Sequence, residues 1–424
     1  MTPTSNLSDP TLSPLDHAKQ VAAKLLSQRG EASGALVARQ LHEALRTLDA
    51  SDRHEFQRYI AVAFQPDKAA LRAAAERYLA DSTAEAAATL AQAADPPRQE
   101  FLRRMNMAPG GTAALIAMRS EIIARLRGEP ELKLLDHDLQ HLFASWFNRG
   151  FLELRRIDWQ TPAAVLEKLI AHEAVHEIKG WDDLRRRLAP DRRCFAFFHP
   201  ALPGEPLIFV EVALVEGLAA SMPPLLSQDT DEDAARAQAL RADTAIFYSI
   251  SNCQDGLRGV SFGNFLIKQV VEDLQAEFPG IERFSTLSPA PGFRRWLTQR
   301  LAEESDPDAA LEPKLARDGW WRDPAQSEPL RTALMRLCAI YLTQRPSVGN
   351  RIDPVARFHL GNGARLERIN WLGDTAPRAI QESFGIMVNY LYDHDSIEDN
   401  HEAFAQNATV ARSPEVDALM QTPA

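Results

Sequence analysis

Along the first third of the chain, apolar residues return at the three- and four-residue steps of a helix. Leu36, Val37, Leu41, Leu45 and Leu48 make one stripe, and Phe56, Ile60 and Phe64 make another. Between Ala69 and Ala94 alanine, the strongest helix former, dominates. Pro96-Pro97 and Pro109-Gly110-Gly111 interrupt the pattern, which resumes with Leu115, Met118, Ile122 and Leu126. No fixed-period repeat is visible. The pattern predicts an antiparallel helical bundle from about Leu15 to Phe147, with His17, His42 and His54 at its surface.

The pattern changes after Trp146. Two helices are expected around Pro162–His176 and Trp181–Leu188. Runs with strand character follow at 194–199, 207–215 and 244–251, with a polar loop or surface helix at 227–243. Phe265, Leu266, Val270, Val271 and Leu274 then mark a helix. A short strand, Arg283 to Leu287, is ended by Ser288-Pro-Ala-Pro-Gly292. A charged, proline-punctuated excursion is expected from Glu303 to Pro329. After it come a helix at Leu330–Leu342, an irregular segment through His359, and a long final helix from about Ala376 to Tyr392. The expected class is α+β, an all-helical bundle followed by a mixed α/β domain. The expected boundaries are a tail at 1–14, a helical domain at 15–148 and a second domain at 149–424.

Composition narrows the field without naming an activity. The 424 residues are 45% hydrophobic and 25% charged, typical of a globular chain with two cores. The net charge of −11 opposes nucleic-acid binding, because phosphates would be repelled. Cys194, Cys253 and Cys338 are odd in number and lack CxxC spacing, which points to reduced thiols in the cytoplasm. No run is apolar enough to span a membrane, and the first residues lack the order of a signal or transit peptide. No membrane partner is expected.

The most informative local feature is Gly256-Leu-Arg-Gly-Val-Ser-Phe-Gly263, where a strand passes through glycines directly into a helix. Glycine lets backbone approach a ligand, and a helix start offers free N–H groups to an anion. The spacing is neither a Walker loop nor Gly-x-Gly-x-x-Gly. It is similar to the pyrophosphate loop of the GNAT acetyltransferase fold, and it equally suits a turn that caps a helix. Arg258 and Lys268 are the basic residues at hand for phosphate.

Longer words then agree with one family. Ala245-Ile-Phe-Tyr-Ser-Ile-Ser251, Gly256-Leu-Arg-Gly-Val260, Asn264-Phe-Leu-Ile-Lys268 and Phe284-Ser-Thr-Leu-Ser-Pro-Ala-Pro-Gly-Phe293 resemble malonyl-CoA decarboxylase. So do Leu334-Met-Arg-Leu-Cys-Ala339, Asp353-Pro-Val-Ala-Arg-Phe-His-Leu-Gly-Asn-Gly363 and Arg368-Ile-Asn-Trp371, with Ala174-Val-His176 and Arg192-Arg-Cys194 upstream. The words keep the family's order and span roughly Ile157 to Tyr392.

The resemblance implies a GNAT-like catalytic domain and a helical domain that makes a homo-oligomer, a dimer or tetramer. It implies conversion of malonyl-CoA to acetyl-CoA and CO2 with no metal and no organic cofactor, coenzyme A being part of the substrate. It places the catalytic serine at Ser288 and the catalytic histidine at His359. The coenzyme loop falls on Arg258, Gly259, Val260, Ser261, Phe262, Gly263 and Asn264, and a further contact on Tyr392. Where some members carry a loop glutamate this chain has Ser261, so that acid's role does not transfer.

The chemistry suits these residues. Losing CO2 from a malonyl thioester leaves an enolate that must be protonated at carbon, and a histidine can deliver that proton. Without the resemblance, His359 reads as a turn residue, Ser288-Pro289 as turn chemistry, and Tyr390 and Tyr392 as packing. An acyltransferase on the same fold, or a silent coenzyme A-binding protein, are the alternatives.

His172-Glu-Ala-Val-His176 matches the zinc-protease pattern His-Glu-x-x-His. No Gly-x-x-His follows, and Lys179-Gly180-Trp181 ends the helix, so no metal is expected there, Glu205 and Glu211 being the downstream acids left as candidate third ligands.

Overall fold

A computed structural model describes residues 12–27, 31–228, 231–260, 265–302, 308–344 and 352–421. The chain forms two compact units. One comprises Met1–Glu153, Phe198–Leu207 and Gln254–Gly263, and the other comprises Leu154–Phe197, Ile208–Cys253 and Asn264–Ala424.

The first unit is helical: α1 (Pro14–Ser27), α2 (Glu31–Arg46), α3 (Ala50–Ala63), α4 (Lys68–Ala80), α5 (Ala84–Ala94), α6 (Pro97–Asn106), α7 (Gly111–Arg125) and α8 (Leu132–Trp146). Side-chain oxygens of Asp49, Asp67 and Thr83 cap α3, α4 and α5, and Pro97 starts α6 where its missing N–H costs nothing. Most positions of the predicted stripes become the core, with Leu41, Phe56, Ile60, Leu115 and Ile122 fully buried, whereas Leu36 is 50% exposed. A buried pair, Arg98–Asp138 at 2.6 Å, ties α6 to α8. The three histidines expected at the surface are half-buried instead. His54 reaches Glu129 at 2.5 Å, and burial lowers the His42 pKa.

The second unit carries the sheet. Its elements begin with β1 (Glu153–Ile157), α9 (Ala163–His172), α10 (Trp181–Arg187), β2 (Arg192–Phe198), β3 (Ile208–Val215), α11 (Pro223–Leu226), α12 (Glu232–Arg241) and β4 (Thr244–Asn252). They continue with α13 (Phe265–Glu277), β5 (Arg283–Thr286), β6 (Ser288–Pro289), α14 (Phe293–Leu301), α15 (Glu312–Leu315), α16 (Pro324–Thr343) and α17 (Pro354–Gly361). The last are β7 (Arg365–Asn370), α18 (Pro377–Ser383), β8 (Met387–Tyr392), α19 (Ile397–Asn407) and α20 (Pro414–Gln421). With the helical unit before it, the chain is α+β.

The strand order is β1-β2-β3-β4-β5-β8-β6, with β7 on the other side of β8. β2, β3 and β4 pair antiparallel, whereas β4 and β5 pair parallel across the α13 crossover. The parallel pairing stops at Phe247–Thr286. Just beyond, the β3–β4 register slips between Glu211 and Val212. The slip makes Tyr248 an extra residue, and such a bulge re-aims the side chains that follow.

Three expectations need correction. The stretch from Ala376 to Tyr392 is not one helix: α18 stops at Ser383, Phe384 and Gly385 take positive φ, and β8 follows. Buried on nearly every position, β8 has no alternation to distinguish it from a buried helix. The segment through His359 is not irregular, because Asp353 caps α17 and Pro354 opens it. The helix expected at Leu330 starts at Pro324 and carries Pro329 inside it.

Candidate active site

Ser288 sits at the start of β6, where it faces Val388 of β8. Side chains lock the neighbouring strands together. Asn389 donates to the Thr286 carbonyl at 2.7 Å, the Tyr390 N–H donates to Thr286 Oγ1 at 3.2 Å, and Ser285 donates to the Tyr390 carbonyl at 3.1 Å.

His359 arrives on α17, whose first turn is held by Asp353. That carboxylate accepts from the N–H groups of Val355, Ala356 and Gly292 and from the Tyr341 hydroxyl. One buried acid thus joins the helix carrying His359 to the turn that follows Ser288. Burial raises its pKa, and burial with the nearby carboxylate keeps Tyr341 protonated. Gly292 is required here, since a Cβ would stand 2.1 Å from the Tyr341 hydroxyl.

The three predicted residues Ser288, His359 and Tyr392 form one hydrogen-bonded line. His359 Nε2 lies 3.1 Å from Ser288 Oγ, and Nδ1 lies 2.8 Å from the Tyr392 hydroxyl. Tyr390 stacks on the imidazole, with ring centroids 4.8 Å apart and an interplanar angle of 24°. All are buried: Ser288 is 7% exposed, His359 3% and Tyr392 6%.

The protons can be placed. Ser288 donates its single hydrogen to Thr286 Oγ1 at 2.9 Å, so toward His359 it can only accept. Nε2 therefore carries the imidazole hydrogen and Nδ1 is bare. Tyr392, held protonated because burial raises its pKa, donates to Nδ1. Burial alone lowers the His359 pKa from 6.5 to about 3, so the resting imidazole is neutral.

Tyr392 also forms part of the wall of a cleft of about 730 Å³ between α13, the start of β5, the end of β8 and α19. Glu272, Glu282, Asp393, Asp395, Glu398 and Asp399 outnumber Lys268 and Arg283 there, which disfavours phosphate. Lys268 is turned to Glu398 at 3.5 Å.

The glycine loop belongs to the first unit as far as Gly263. Arg258 is exposed and paired with Asp255 at 2.8 Å, Val260 is buried, and the Gly259 carbonyl accepts from Gln140 at 2.8 Å. The Gly256 carbonyl accepts from Arg119 at 2.8 Å, and a Cβ on Gly256 would meet the Ile116 carbonyl oxygen at 2.0 Å. Ser261, Phe262, Gly263 and Asn264 lie outside the described residues.

The His-Glu-x-x-His word takes a different form from a zinc helix. α9 ends at His172, so the two imidazoles do not share a helix face. Glu173 accepts from the N–H groups of Val175 and His176 and from the Ser249 and Ser251 hydroxyls, so it clamps this loop to the bulged part of β4. Burial lowers the His176 pKa to about 4. Among the described residues no cluster of three metal-binding side chains occurs.

Sequence reasoning missed the roles of Asp353 and Thr286 and the buried pairing of Glu211 with Arg187 at 2.7 Å, where burial pushes Glu211 up to about 8. Of these only Asp353, directly before a proline, carried a readable cap signal.

Comparison with known proteins gives the relatives of the chain as a whole. The profile of the malonyl-CoA decarboxylase C-terminal domain matches residues 150–424, and that of the N-terminal domain matches residues 64–147. The chain is 38% identical over 348 residues to the mitochondrial malonyl-CoA decarboxylase of Anser anser anser, covering 76% of this chain and 69% of that one. The Mus musculus protein of the same name is 34% identical over 378 residues, covering 80% and 75%. The crystal structure of malonyl-CoA decarboxylase from Rhodopseudomonas palustris superposes with a TM-score of 0.89 at 48% identity, covering 97% of this chain and 100% of that one.

Proposed function

Because the chain belongs to the malonyl-CoA decarboxylase family, and is thus a carboxy-lyase acting on malonyl-CoA, we propose that Ser288, His359 and Tyr392 carry its chemistry. The observation behind this reading is the single buried line from Ser288 Oγ through both imidazole nitrogens to the Tyr392 hydroxyl.

The reaction turns malonyl-CoA and one proton into acetyl-CoA and CO2. When the carboxylate leaves, its bonding pair passes into the thioester as an enolate, so the thioester is itself the electron sink and no cofactor is required. Burial around Ser288 and His359 disfavours the carboxylate's charge more than the dispersed charge of the enolate. Bringing that carboxylate near His359 offsets the burial that holds the imidazole neutral, so a proton enters with the substrate. His359 then gives it to the former methylene carbon. Ser288 accepts from Nε2 and can turn its own hydrogen to the substrate, while Tyr392 donates to Nδ1 in the resting state and accepts from it once the imidazole is protonated.

Arg258, Gly259, Val260, Ser261, Phe262, Gly263 and Asn264 are assigned to the coenzyme, with the exposed Arg258 guanidinium suited to a phosphate. The helical unit is assigned to a homo-oligomer. In its α4–α5 hairpin only Ala74 and Ala86 are buried, and Leu79 is 81% exposed. Three buried cysteines that form no disulfide favour a reducing compartment such as the cytoplasm. No helix among the described residues is long and apolar enough to cross a membrane.

The test follows CO2 release from malonyl-CoA, with and without an amine acceptor. Wild type should release CO2 regardless of the amine, and Ser288→Ala or His359→Gln should lower kcat at least about a hundredfold. Unchanged turnover in both variants would remove the assignment, and acyl transfer to the amine in place of CO2 release would make the protein a transferase.

A further inference from the structure

The arginines of the second unit are mostly matched to acids. Arg186 meets Asp191, Arg187 meets Glu211, Arg193 meets Glu277 and Arg336 meets Asp308, each at 2.6–2.7 Å. One cleft departs from that rule. It encloses about 720 Å³ between α14, the segment from Leu315 to Arg322 and α18, within the size range of small-molecule sites.

Arg294, Arg317 and Arg322 line it, and Asp318 is the one acid in its lining. None of the three guanidinium groups pairs with a carboxylate among the described residues. Arg294 is held in place, donating to the Ile380 carbonyl at 3.2 Å and lying 5.0 Å from the Phe384 ring centroid. Arg322 lies 5.4 Å from the ring centroid of Trp321, which stands perpendicular to the buried Trp320.

Three cations against one acid leave a local excess of about two positive charges on a chain whose net charge is −11. A guanidinium desolvates readily and grips planar oxygen pairs with two hydrogen bonds. A monocarboxylate would leave this charge half-matched, whereas a phosphate or diphosphate matches it. The Trp321 ring adds an aromatic surface for a planar base.

We propose that this cleft is a second binding site, for a phosphate-bearing ligand of the nucleoside diphosphate class, separate from the Ser288–His359 line. None of that line's residues contributes to its lining.

The test is calorimetric titration of the full chain with ADP, and separately with inorganic pyrophosphate, both in saturating acetyl-CoA so that the substrate's own site is occupied. Wild type should bind ADP saturably at one site per chain, and pyrophosphate more weakly. The double variant Arg317→Ala/Arg322→Ala should bind ADP at least tenfold more weakly, while releasing CO2 from malonyl-CoA within twofold of wild type. Both residues are exposed at the surface, so the fold should survive. Absence of saturable ADP binding at millimolar concentration under acetyl-CoA would overturn the proposal. Equal ADP affinity in wild type and double variant would overturn it as well.

Discussion

Replacing His359 with glutamine tests the buried imidazole through the pH dependence of folding. In the unfolded chain a histidine titrates near 6.5, whereas in the folded protein burial holds His359 at about 3. The folded-state pKa is depressed, so between these values the unfolded state binds the extra proton and stability falls as pH falls. The loss begins near pH 6.5 and levels off below about pH 3. Over that window it sums to about 5 kcal/mol. Between pH 7.5 and 5.0 alone it amounts to about 2 kcal/mol. His176, lowered to about 4, acts with the same sign, and Glu211, raised to about 8, acts with the opposite sign. Both stay in the variant and subtract out. Urea unfolding followed by tryptophan fluorescence at pH 7.5 and 5.0 should show wild type losing about 2 kcal/mol more than His359→Gln. Glutamine keeps a hydrogen-bonding group of similar reach, so the comparison isolates the titration. Equal acid destabilisation in the two proteins would mean that the resting imidazole is not held neutral, and the tautomer assignment would fall with it.

Three further outcomes are expected. Tyr392→Phe leaves Nδ1 a buried acceptor without its donor, so it should cost about 1–3 kcal/mol in urea unfolding and lower kcat with little change in KM. Asp353→Ala removes the α17 cap together with the partner of Gly292 and Tyr341, and should cost about 2–4 kcal/mol, with kcat falling as His359 loses its fixed position. Gly256→Ala forces a methyl group against the Ile116 carbonyl, and a loss of more than about 2 kcal/mol should appear in thermal unfolding.

Legibility in the sequence followed physical range. Helices of the first unit and strands β2 to β4 were readable because their periodicity is local. Strand β7 was missed because Arg365, Glu367 and Arg368 give it the look of a loop, although strands with one neighbour commonly carry charge. The error at β8 has the opposite origin, since burial on nearly every position erases alternation. For the site, the family words supplied Ser288, His359 and Tyr392, and nothing local could supply their contact. The partners are 71 and 33 residues apart, and the lowered pKa of His359 comes from burial that only the folded chain creates. Asp353 was written plainly, as an acid before a proline, and its second duty at Gly292 was not.

The placement of β8 has a consequence for biosynthesis. This strand lies between β5–β6 on one side and β7 on the other, yet it is the last strand to leave the ribosome. Until it inserts, Ser288 lacks the strand it pairs with, and His359 lacks both the ring stacked on it and the hydroxyl on Nδ1. A nascent chain halted before Met387 would therefore hold most of the second unit's residues and be inert toward malonyl-CoA. Activity should appear in one step, when the final strand closes the sheet.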